Sequence, residues 1–334
     1  MSTKHEKLAL RHAPVLHQKI HEMNPRGDYI TRVDLRGTWD DIVHNWEYVR
    51  DAGNALEAAG YYSVAETTTH YFILYAFYHA QDWYDGKILI DKIRKNFDEH
   101  LHDMEGALAV VTKRPGNEKD ERVDAFITIS HFHFYCYANW MEKDNKPFFP
   151  PEDEWRNRIR GFTENVDGNI WPVLDGGRPR FSLYAQARGH GIRGDRKAWG
   201  LENKIIRYFP SLTESGEPEP APEKFFKDKG YLFQDVRYHL IDIHEPDGLW
   251  ANRSNPNVFQ TNDKGQDAFV KLATKNKLKA GSANPPWGWD DMDDRHKCGE
   301  LAINPARIVH DYFTGLREYS LEYVFDPYLR IGTK

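Results

Sequence analysis

The sequence predicts a mainly β protein, an antiparallel β-sandwich with peripheral α-helices (α+β overall). Aromatic residues make up 14% of the 334 residues, with 10 Trp, 18 Tyr and 18 Phe. Many of them alternate with polar residues, at the period of two that half-buried strands show. Turn-rich stretches such as 113–117 separate these segments, a spacing typical of antiparallel sheets and sandwiches.

Four central segments are predicted as strands. Residues 61–84 are too rich in β-branched and aromatic side chains for a good helix, so we expect one long strand there. Further strands are expected at 105–112, 123–137 and 180–187, where apolar runs lie between turn signals. Together they predict the core of the sandwich.

Helices are predicted towards the two ends of the chain. Residues 38–59 begin with Thr38, a plausible N-cap followed by acidic residues in the first turn, and carry apolar residues at helical spacing. Near the C-terminus, Asn304 as cap and Pro305 at the first helical position predict a second helix. The Pro- and Glu-rich stretch 212–222 predicts an exposed loop.

The chain is expected to form a single domain, 1–334, since 40% hydrophobic residues suffice for a sizeable core. We divide it into a helical N-terminal part (1–60), a motif-bearing core (61–191) and a C-terminal extension packed on that core (192–334). A basic segment at 264–279 is interpreted as a solvated face.

Composition narrows the possible partners and compartment. The 51 acidic and 45 basic residues are well mixed and give a net charge of −6, so no basic stripe favours nucleic acid. No apolar run is long enough for a transmembrane segment, and the first residues lack the apolar core of a secretory signal, so a cytoplasmic location is expected. Only Cys136 and Cys298 are present, which excludes a disulfide framework and leaves one bridge or two free thiols.

A cluster at 98–105 holds six ionisable side chains in eight positions, close to the apolar run 107–111. Imidazoles and carboxylates are ligands of borderline and hard divalent cations, so the cluster predicts a metal site; a solvated acidic turn is the alternative. Asp103 and Glu105 lie two apart on one face of the predicted strand, while His100 and His102 approach from the turn before it.

Three further histidines are candidate functional residues. His131 and His133 would share one face of the strand 123–137, with at least one of them facing a polar cavity. Hydrogen-bonded or exposed strand histidines are the alternative interpretation. His190 follows the fourth strand in a glycine-flanked loop, where backbone or ligand can approach closely.

A second acidic segment lies in the C-terminal third, with four Asp within 290–294. It lacks the spacing and the glycine of an EF-hand, so an exposed acidic loop is favoured over a calcium loop. Trp287 and Trp289 are alternatively a stacking surface for a sugar, lipid head group or aromatic substrate. The chain has no Gly-x-Ser-x-Gly, P-loop or dinucleotide motif, which disfavours serine hydrolases, NTPases and Rossmann enzymes.

Residues 75–82 and 100–105 together resemble the necrosis- and ethylene-inducing-peptide-like proteins, in which a strand ending Y-x-x-Y-x-x-x-D is followed, after a loop, by H-x-H-D-W-E. That family has a β-sandwich cytolysin fold and a divalent cation, usually calcium or magnesium. The resemblance implies that four residues surround a metal here: Asp82, His100, Asp103 and Glu105. Met104 stands where the family motif has Trp. Residues 179–190 are similar to the P-x-x-Y-x-A-x-G-x-H segment of the related vacuolar-sorting-type family.

Two functional hypotheses follow. The main one is a metal-dependent enzyme of hydrolase or lyase type acting on a small molecule or lipid, with a Mg, Ca, Mn, Zn or Fe ion at the site above. Its general acids or bases would be His102, His131, His133 and His190. The alternative is a non-enzymatic, cation-dependent lipid- or glycan-binding protein of cytolysin type. A purely structural metal, or none, is the third possibility.

Overall fold

The computed structural model describes residues 3–83, 100–131, 133–139, 142–143, 146–147, 166–195, 205–218, 233–255, 284–291, 296–313 and 316–333. Its helices in these ranges are α1 (Lys4–His12), α2 (Asn45–Arg50), α3 (Glu300–Ile303) and α4 (Pro305–Phe313). Its strands are β1 (Val15–Lys19), β2 (Ala59–Thr67), β3 (His70–Asp82), β4 (His100–Thr112), β5 (Val123–Ser130), β6 (His133–Ala138), β7 (Glu142–Lys143), β8 (Lys146–Pro147), β9 (Val166–Asn169), β10 (Pro172–Asp175), β11 (Arg178–Ala185), β12 (Ile192–Arg193), β13 (Ile205–Ser211), β14 (Phe233–Asp242) and β15 (Tyr323–Phe325).

Thirteen of these strands form one sheet, in the order β10-β11-β1-β13-β14-β2-β3-β4-β5-β6-β9, with β12 beside β11 and β15 beside β2. The β7–β8 hairpin is separate. The mainly β fold predicted from the sequence is confirmed. The sheet is mixed, because β1–β11, β13–β14, β14–β2 and β6–β9 pair in parallel and the other neighbours are antiparallel.

The sheet curls over so that its two halves face each other. Aromatic rings from strands distant in the sheet meet inside: Phe126 and Phe181 at 5.0 Å between centroids, and Tyr75 and Phe181 at 6.3 Å. These contacts belong to one continuous core of buried apolar side chains. Its aromatic content explains the composition of the chain, since large rings are needed to fill the space between two facing layers.

The single strand predicted at 61–84 is wrong. The segment is a hairpin, in which β2 pairs with β3 and the chain turns at Thr68 and Thr69. The hydroxyl of Thr67 accepts a hydrogen bond from the backbone N–H of His70, at 3.2 Å. A threonine side chain thus supports this turn, which contains no glycine or proline as a sequence signal. Residue 84 lies outside the described residues.

The strand predicted at 123–137 is also a hairpin, of β5 and β6. The turn includes His131, whose φ of 60° places it in the left-handed region. The prediction that His131 and His133 share one face of a continuous strand is therefore wrong. The second strand begins earlier than predicted, at His100, and the fourth spans Arg178–Ala185.

The helix predicted at 38–59 is much shorter. A 3₁₀ turn at Ile42–His44 leads into α2, which ends at Arg50. The hydroxyl of Thr38 accepts a hydrogen bond from the N–H of Asp40 in a local turn, so it does not cap the helix. After α2 the carboxylate of Asp51 accepts the N–H of Gly53, which turns the chain away from a helical path.

The C-terminal helix is confirmed, since α4 begins at Pro305 as predicted. The loop at 212–222 is irregular over its described part, 212–218, while 219–222 and the basic segment 264–279 lie outside the described residues. Cys136 and Cys298 are both free thiols. Within the described ranges, no helix combines the length and apolar character that crossing a membrane requires.

Candidate metal centre

The antiparallel pairing of β3 with β4 brings the predicted metal ligands together. Asp82 lies opposite His100, and His79 lies opposite Asp103. The side chains of Asp82, Asp103 and Glu105 are all buried, at the end of the strands where β4 begins. The position of the His100 side chain lies outside the described part of the structure.

The predicted catalytic residue His102 lies within β4. Its φ of 61° is in the left-handed region, a conformation that costs a non-glycine residue energy. Its Nδ1 lies 2.7 Å from the Tyr78 hydroxyl, which in turn accepts a hydrogen bond from the amide of Asn45 at 3.1 Å. The Tyr78 proton therefore points to His102, and the imidazole is part of a buried network.

His190 is buried between two carboxylates. Its Nδ1 lies 2.8 Å from Oδ2 of Asp103, and its Nε2 lies 3.4 Å from Oδ1 of Asp28. Burial alone would lower the pKa of His190, but hydrogen bonds and charge from Asp103 and Asp28 raise it to about 9. The ring is thus an imidazolium at neutral pH and holds both carboxylates in place.

Asp28 is fixed from several sides. One oxygen accepts hydrogen bonds from the backbone N–H of Arg188 at 2.7 Å and from the indole of Trp83 at 3.1 Å. The other accepts the backbone N–H of His21, at 2.8 Å. The loop around residue 28, the end of β3 and the loop after β11 therefore converge on one carboxylate, which positions His190.

His79 stacks on His190, with 3.6 Å between parallel ring centroids. Its Nε2 lies 3.2 Å from Oε1 of Gln18, whose amide nitrogen donates to the carbonyls of Lys19 and Gln186. Because that amide orientation leaves only an acceptor facing His79, Nε2 carries the proton and Nδ1 carries the lone pair. Burial, and then the charge of His190, lower the pKa of His79 well below its ordinary value, so the ring is neutral.

Glu105 is a buried carboxyl group with other carboxylates as neighbours. Burial raises its pKa well above the ordinary value, and the nearby carboxylates of Asp103 and Asp82 raise it further. One oxygen, Oε1, accepts the backbone N–H of His131 at 2.9 Å. The other, Oε2, is buried and has no hydrogen-bond partner among the described residues. A proton or a cation is needed to stabilise this group.

The arrangement fits a metal ion. His79, Asp103 and His190 offer ligand atoms within 4.8 Å of one another, and all three are buried. Nδ1 of His79 is buried without a hydrogen-bond partner in the described part of the chain, as Oε2 of Glu105 is. Buried lone pairs of both kinds are donors that a divalent cation uses. His190 is already bound to two carboxylates, so its main contribution is positive charge and orientation.

The two remaining predicted histidines lie nearer the surface. The His131 side chain is 43% exposed; its Nδ1 is 4.0 Å from Oε1 of Glu105, and its Nε2 accepts a hydrogen bond from the Gln186 amide at 2.6 Å. The His133 side chain is 49% exposed, and its Nδ1 is 4.0 Å from Asp291. His131 thus borders the carboxylate cluster directly, whereas His133 contacts the C-terminal acidic segment.

That C-terminal segment differs from its prediction as an exposed loop. Asp291 is buried and accepts a hydrogen bond from the Tyr312 hydroxyl at 3.3 Å. Trp289 is fully buried and its indole donates to the carbonyls of Met104 and Asn284, both at 3.0 Å. Trp287 is also buried. A stacking surface formed by these two Trp is therefore wrong; they are core residues that support β4. Residues 292–295 lie outside the described residues.

Sequence reasoning missed several residues of the centre. Asp28, His79 and Gln18 come from three separate segments: His79 meets Asp103 through the β3–β4 register, Gln18 lies on β1, and Asp28 reaches His190 from the turn at Pro25–Asp28. His79 lies within the motif at 75–82, and this place in the motif was the one sequence signal that it belongs to the site. Nothing in the local sequence marks Asp28 or Gln18.

No protein-family model matches the chain, and no curated protein matches it. Solved structures do match. Necrosis and Ethylene inducing Protein 2 from the causal agent of cocoa's Witches Broom disease is 13% identical, with 86% of each chain covered and a TM-score of 0.32.

NLPPya in complex with glucosamine is also 13% identical, with 84% of this chain and 83% of that chain covered and a TM-score of 0.32. The non-toxic HaNLP3 protein is 15% identical, with coverages of 84% and 85% and a TM-score of 0.30. The family that the motifs at 75–82 and 100–105 resemble is therefore also the family found among the similar solved structures.

Proposed function

We propose that this chain is a cation-dependent binding protein of the cytolysin type, which recognises the polar head group of a glycan or lipid. The observation that carries the proposal is the buried oxygen Oε2 of Glu105, which has no hydrogen-bond partner in the described residues and lies near the carboxylates of Asp82 and Asp103. Such a group is stabilised by a proton or by a bound cation, and the proposal is that a cation takes this place.

The donor set favours a hard cation. The residues that would hold it are Asp82, His100, Asp103 and Glu105, with Nδ1 of His79 as a further donor. Carboxylate oxygens predominate among them, and these are the ligands of calcium and magnesium. When bound, the cation supplies a positive charge to which hydroxyl or phosphate oxygens of a head group bind.

The other side chains of the site orient the metal ligands and contact the head group. The imidazolium of His190 holds Asp103 and Asp28, and Gln18 fixes the tautomer of His79. At the surface, His131 and Gln186 are hydrogen-bonded to each other beside Glu105. Their remaining polar groups are suited to bind the hydroxyls of a sugar ring.

Metal-dependent acid–base catalysis is the second candidate, and one observation favours it. The exposed imidazole of His131 lies 4.0 Å from the buried carboxylate of Glu105. An exposed imidazole that borders a metal site is a typical general acid or base. His133 and His102 fit this role less well, since one contacts Asp291 and the other is enclosed beside Tyr78.

Elemental analysis of the purified protein separates the two candidates. We expect stoichiometric calcium or magnesium in the wild type and its loss in Asp103→Ala. The control His296→Ala, which changes a residue paired with Glu300, should retain the metal. Zinc, iron or manganese would instead favour the enzyme, and equal metal content in both variants would contradict the proposed site.

Head-group binding is tested directly with soluble sugars and with vesicles. Glucosamine and mannosamine, with which NLPPya was solved, are the first soluble probes. We expect binding in calcium or magnesium that chelator abolishes, and none by Asp103→Ala. Sedimentation with glycolipid vesicles should follow the same pattern. Binding that persists in chelator would contradict a cation-dependent role.

A further inference from the structure

A second polar site lies at the opposite end of the sandwich. A cavity of about 660 Å³ is formed where α1 ends, β5 begins and β11 begins. Along β4, Asp103 and Thr112 mark the two ends, and nine residues of strand span roughly 30 Å. The cavity is therefore distinct from the carboxylate cluster, and its volume is in the range that holds a small organic ligand.

The rim of this cavity is cationic, in a chain whose net charge is −6. Lys119, Arg122 and Arg178 line it and are exposed. Lys119 and Arg178 have no carboxylate within 4.0 Å among the described residues. Asp120, an exposed carboxylate, lines the same cavity, so the exposed rim carries three cations and one carboxylate. This excess of positive charge attracts an anion, and guanidinium groups bind phosphate oxygens in a bidentate manner.

Two other arginines of the cavity have structural partners. Arg11 pairs with Glu121 at 3.0 Å. Arg180 pairs with Asp175 at 2.8 Å and donates to the last carbonyls of α1, including that of Leu10 at 2.7 Å. These contacts fix the floor of the cavity and account for the charges of both arginines.

His12 is the feature that points to a ligand. It lines the cavity and is 7% exposed, and its Nε2 is buried with no hydrogen-bond partner within the described ranges. Burial, and then the charges of Arg11, Arg180 and Arg178, lower the pKa of His12 to about 3, so the ring is neutral. A buried polar group without a partner is destabilising, and a hydrogen bond to a bound ligand would offset that cost.

The remaining wall is apolar. Ile170 and Phe181 are buried and line the same cavity, next to the ring of Phe126 in the core. A bare inorganic ion would leave this wall uncovered. A ligand with an anionic head and an organic part would contact both the cations and the apolar residues.

From this combination we infer that the cavity is a binding site for an organic phosphate ester. The phosphate contacts Lys119, Arg178 and the imidazole of His12, and the organic part packs on Ile170 and Phe181. Both a soluble phosphate ester and the head group of a phospholipid present this chemistry.

Titration calorimetry on the full chain tests the inference with phenyl phosphate, inorganic phosphate and uncharged phenol. We expect saturable binding of phenyl phosphate, weaker binding of inorganic phosphate and none of phenol. Arg178→Gln and Lys119→Gln should each weaken binding about tenfold or more. The control Arg207→Gln changes an exposed arginine on β13, paired with Asp235 outside the cavity, and should bind within about twofold of wild type.

His12→Phe provides the second variant, since it keeps a ring and removes the buried nitrogen. We expect it to fold and to bind phenyl phosphate more weakly. Sedimentation with phosphatidylcholine vesicles, with and without phosphatidic acid, distinguishes a lipid head group from a soluble ester. Sedimentation that needs phosphatidic acid and is lost in Arg178→Gln assigns a lipid head group. Calorimetric binding without sedimentation assigns a soluble ester. Absence of saturable binding to both probes, or equal binding by Arg178→Gln and wild type, would overturn the inference.

Discussion

Two buried glutamates in this sheet have opposite surroundings. Glu66, at the end of β2, lies 2.7 Å from Lys113, 3.2 Å from Lys4 and 3.5 Å from His5. Burial alone would raise its pKa, but hydrogen bonds from His5 and Lys113 and the neighbouring charges lower it to about 2. Glu105, on β4, has carboxylates as neighbours, and its pKa is raised well above the ordinary value.

The difference shows that burial by itself does not decide whether the charge of a glutamate is neutralised by the protein. Both side chains are largely removed from water, yet one is neutralised by the protein and the other is not. A carboxylate whose compensation is built into the fold serves stability. One whose compensation is missing is suited to bind a cation, because the protein has already met the cost of gathering the negative charges.

The largest expected effect comes from Glu105→Gln. Removing the charge should abolish the stabilisation by calcium or magnesium, which for the wild type at 100 times the dissociation constant is about 2.7 kcal/mol. In chelator the variant should be more stable than wild type, since a repulsive buried carboxylate is gone. Thermal unfolding with cation and with chelator measures both effects. Glu66→Gln is the matched control, and a cation response in Glu105→Gln equal to wild type would contradict the site.

Gly106→Ala separates the shape of β4 from its charge. A Cβ at Gly106 would overlap the carbonyl oxygen of Tyr75 and come within 2.6 Å of the Trp289 ring. We expect a loss of about 1–3 kcal/mol in the free energy of unfolding from this overpacking. Because the carboxylates are untouched, chemical denaturation should give a similar loss with cation and with chelator. A loss seen only with cation would mean that Gly106 acts on the site alone.

Glu66→Gln should cost about 1–2 kcal/mol at neutral pH, through the loss of its charged hydrogen bonds. The folded pKa lies below the ordinary 4.5, so this stabilisation is present above pH 4.5 and is lost as the pH falls towards about 2. Denaturation curves across that range should show wild type and variant converging. A constant difference down to pH 2 would show that packing, and not charge, stabilises this residue.

The smallest change in the free energy of unfolding is expected at an ion pair on the surface. Arg207 and Asp235 form two contacts of 2.6 Å across the β13–β14 pair, on the surface. Arg207→Gln should change the free energy of unfolding by about 0.5 kcal/mol or less, because water and salt screen such pairs. Urea denaturation at low and high salt measures it. A loss as large as that of Glu66→Gln would mean that exposure does not weaken these pairs.

The mainly β fold was predictable because aromatic residues alternate along strands wherever the two layers face each other. The turns at Thr68 and His131 were not, since neither residue type favours a turn by itself and their conformations depend on the paired strands. Asp103 and Glu105 could be found by their spacing of two. Asp28 and Gln18 could not, because Asp28 reaches His190 from a turn outside the sheet and Gln18 reaches His79 from a strand that is not a neighbour of β3.

The position of β1 in the sheet has a consequence for how the molecule is assembled. This strand precedes both of its partners in the chain: it pairs with β11 on one side, Val15 opposite Ser182, and with β13 on the other, Leu16 opposite Tyr208. Partners so distant along the chain require large loops to close before they are stabilised, which slows folding. During synthesis on the ribosome, both edges of β1 therefore stay without their native partners until β11 and β13 have emerged.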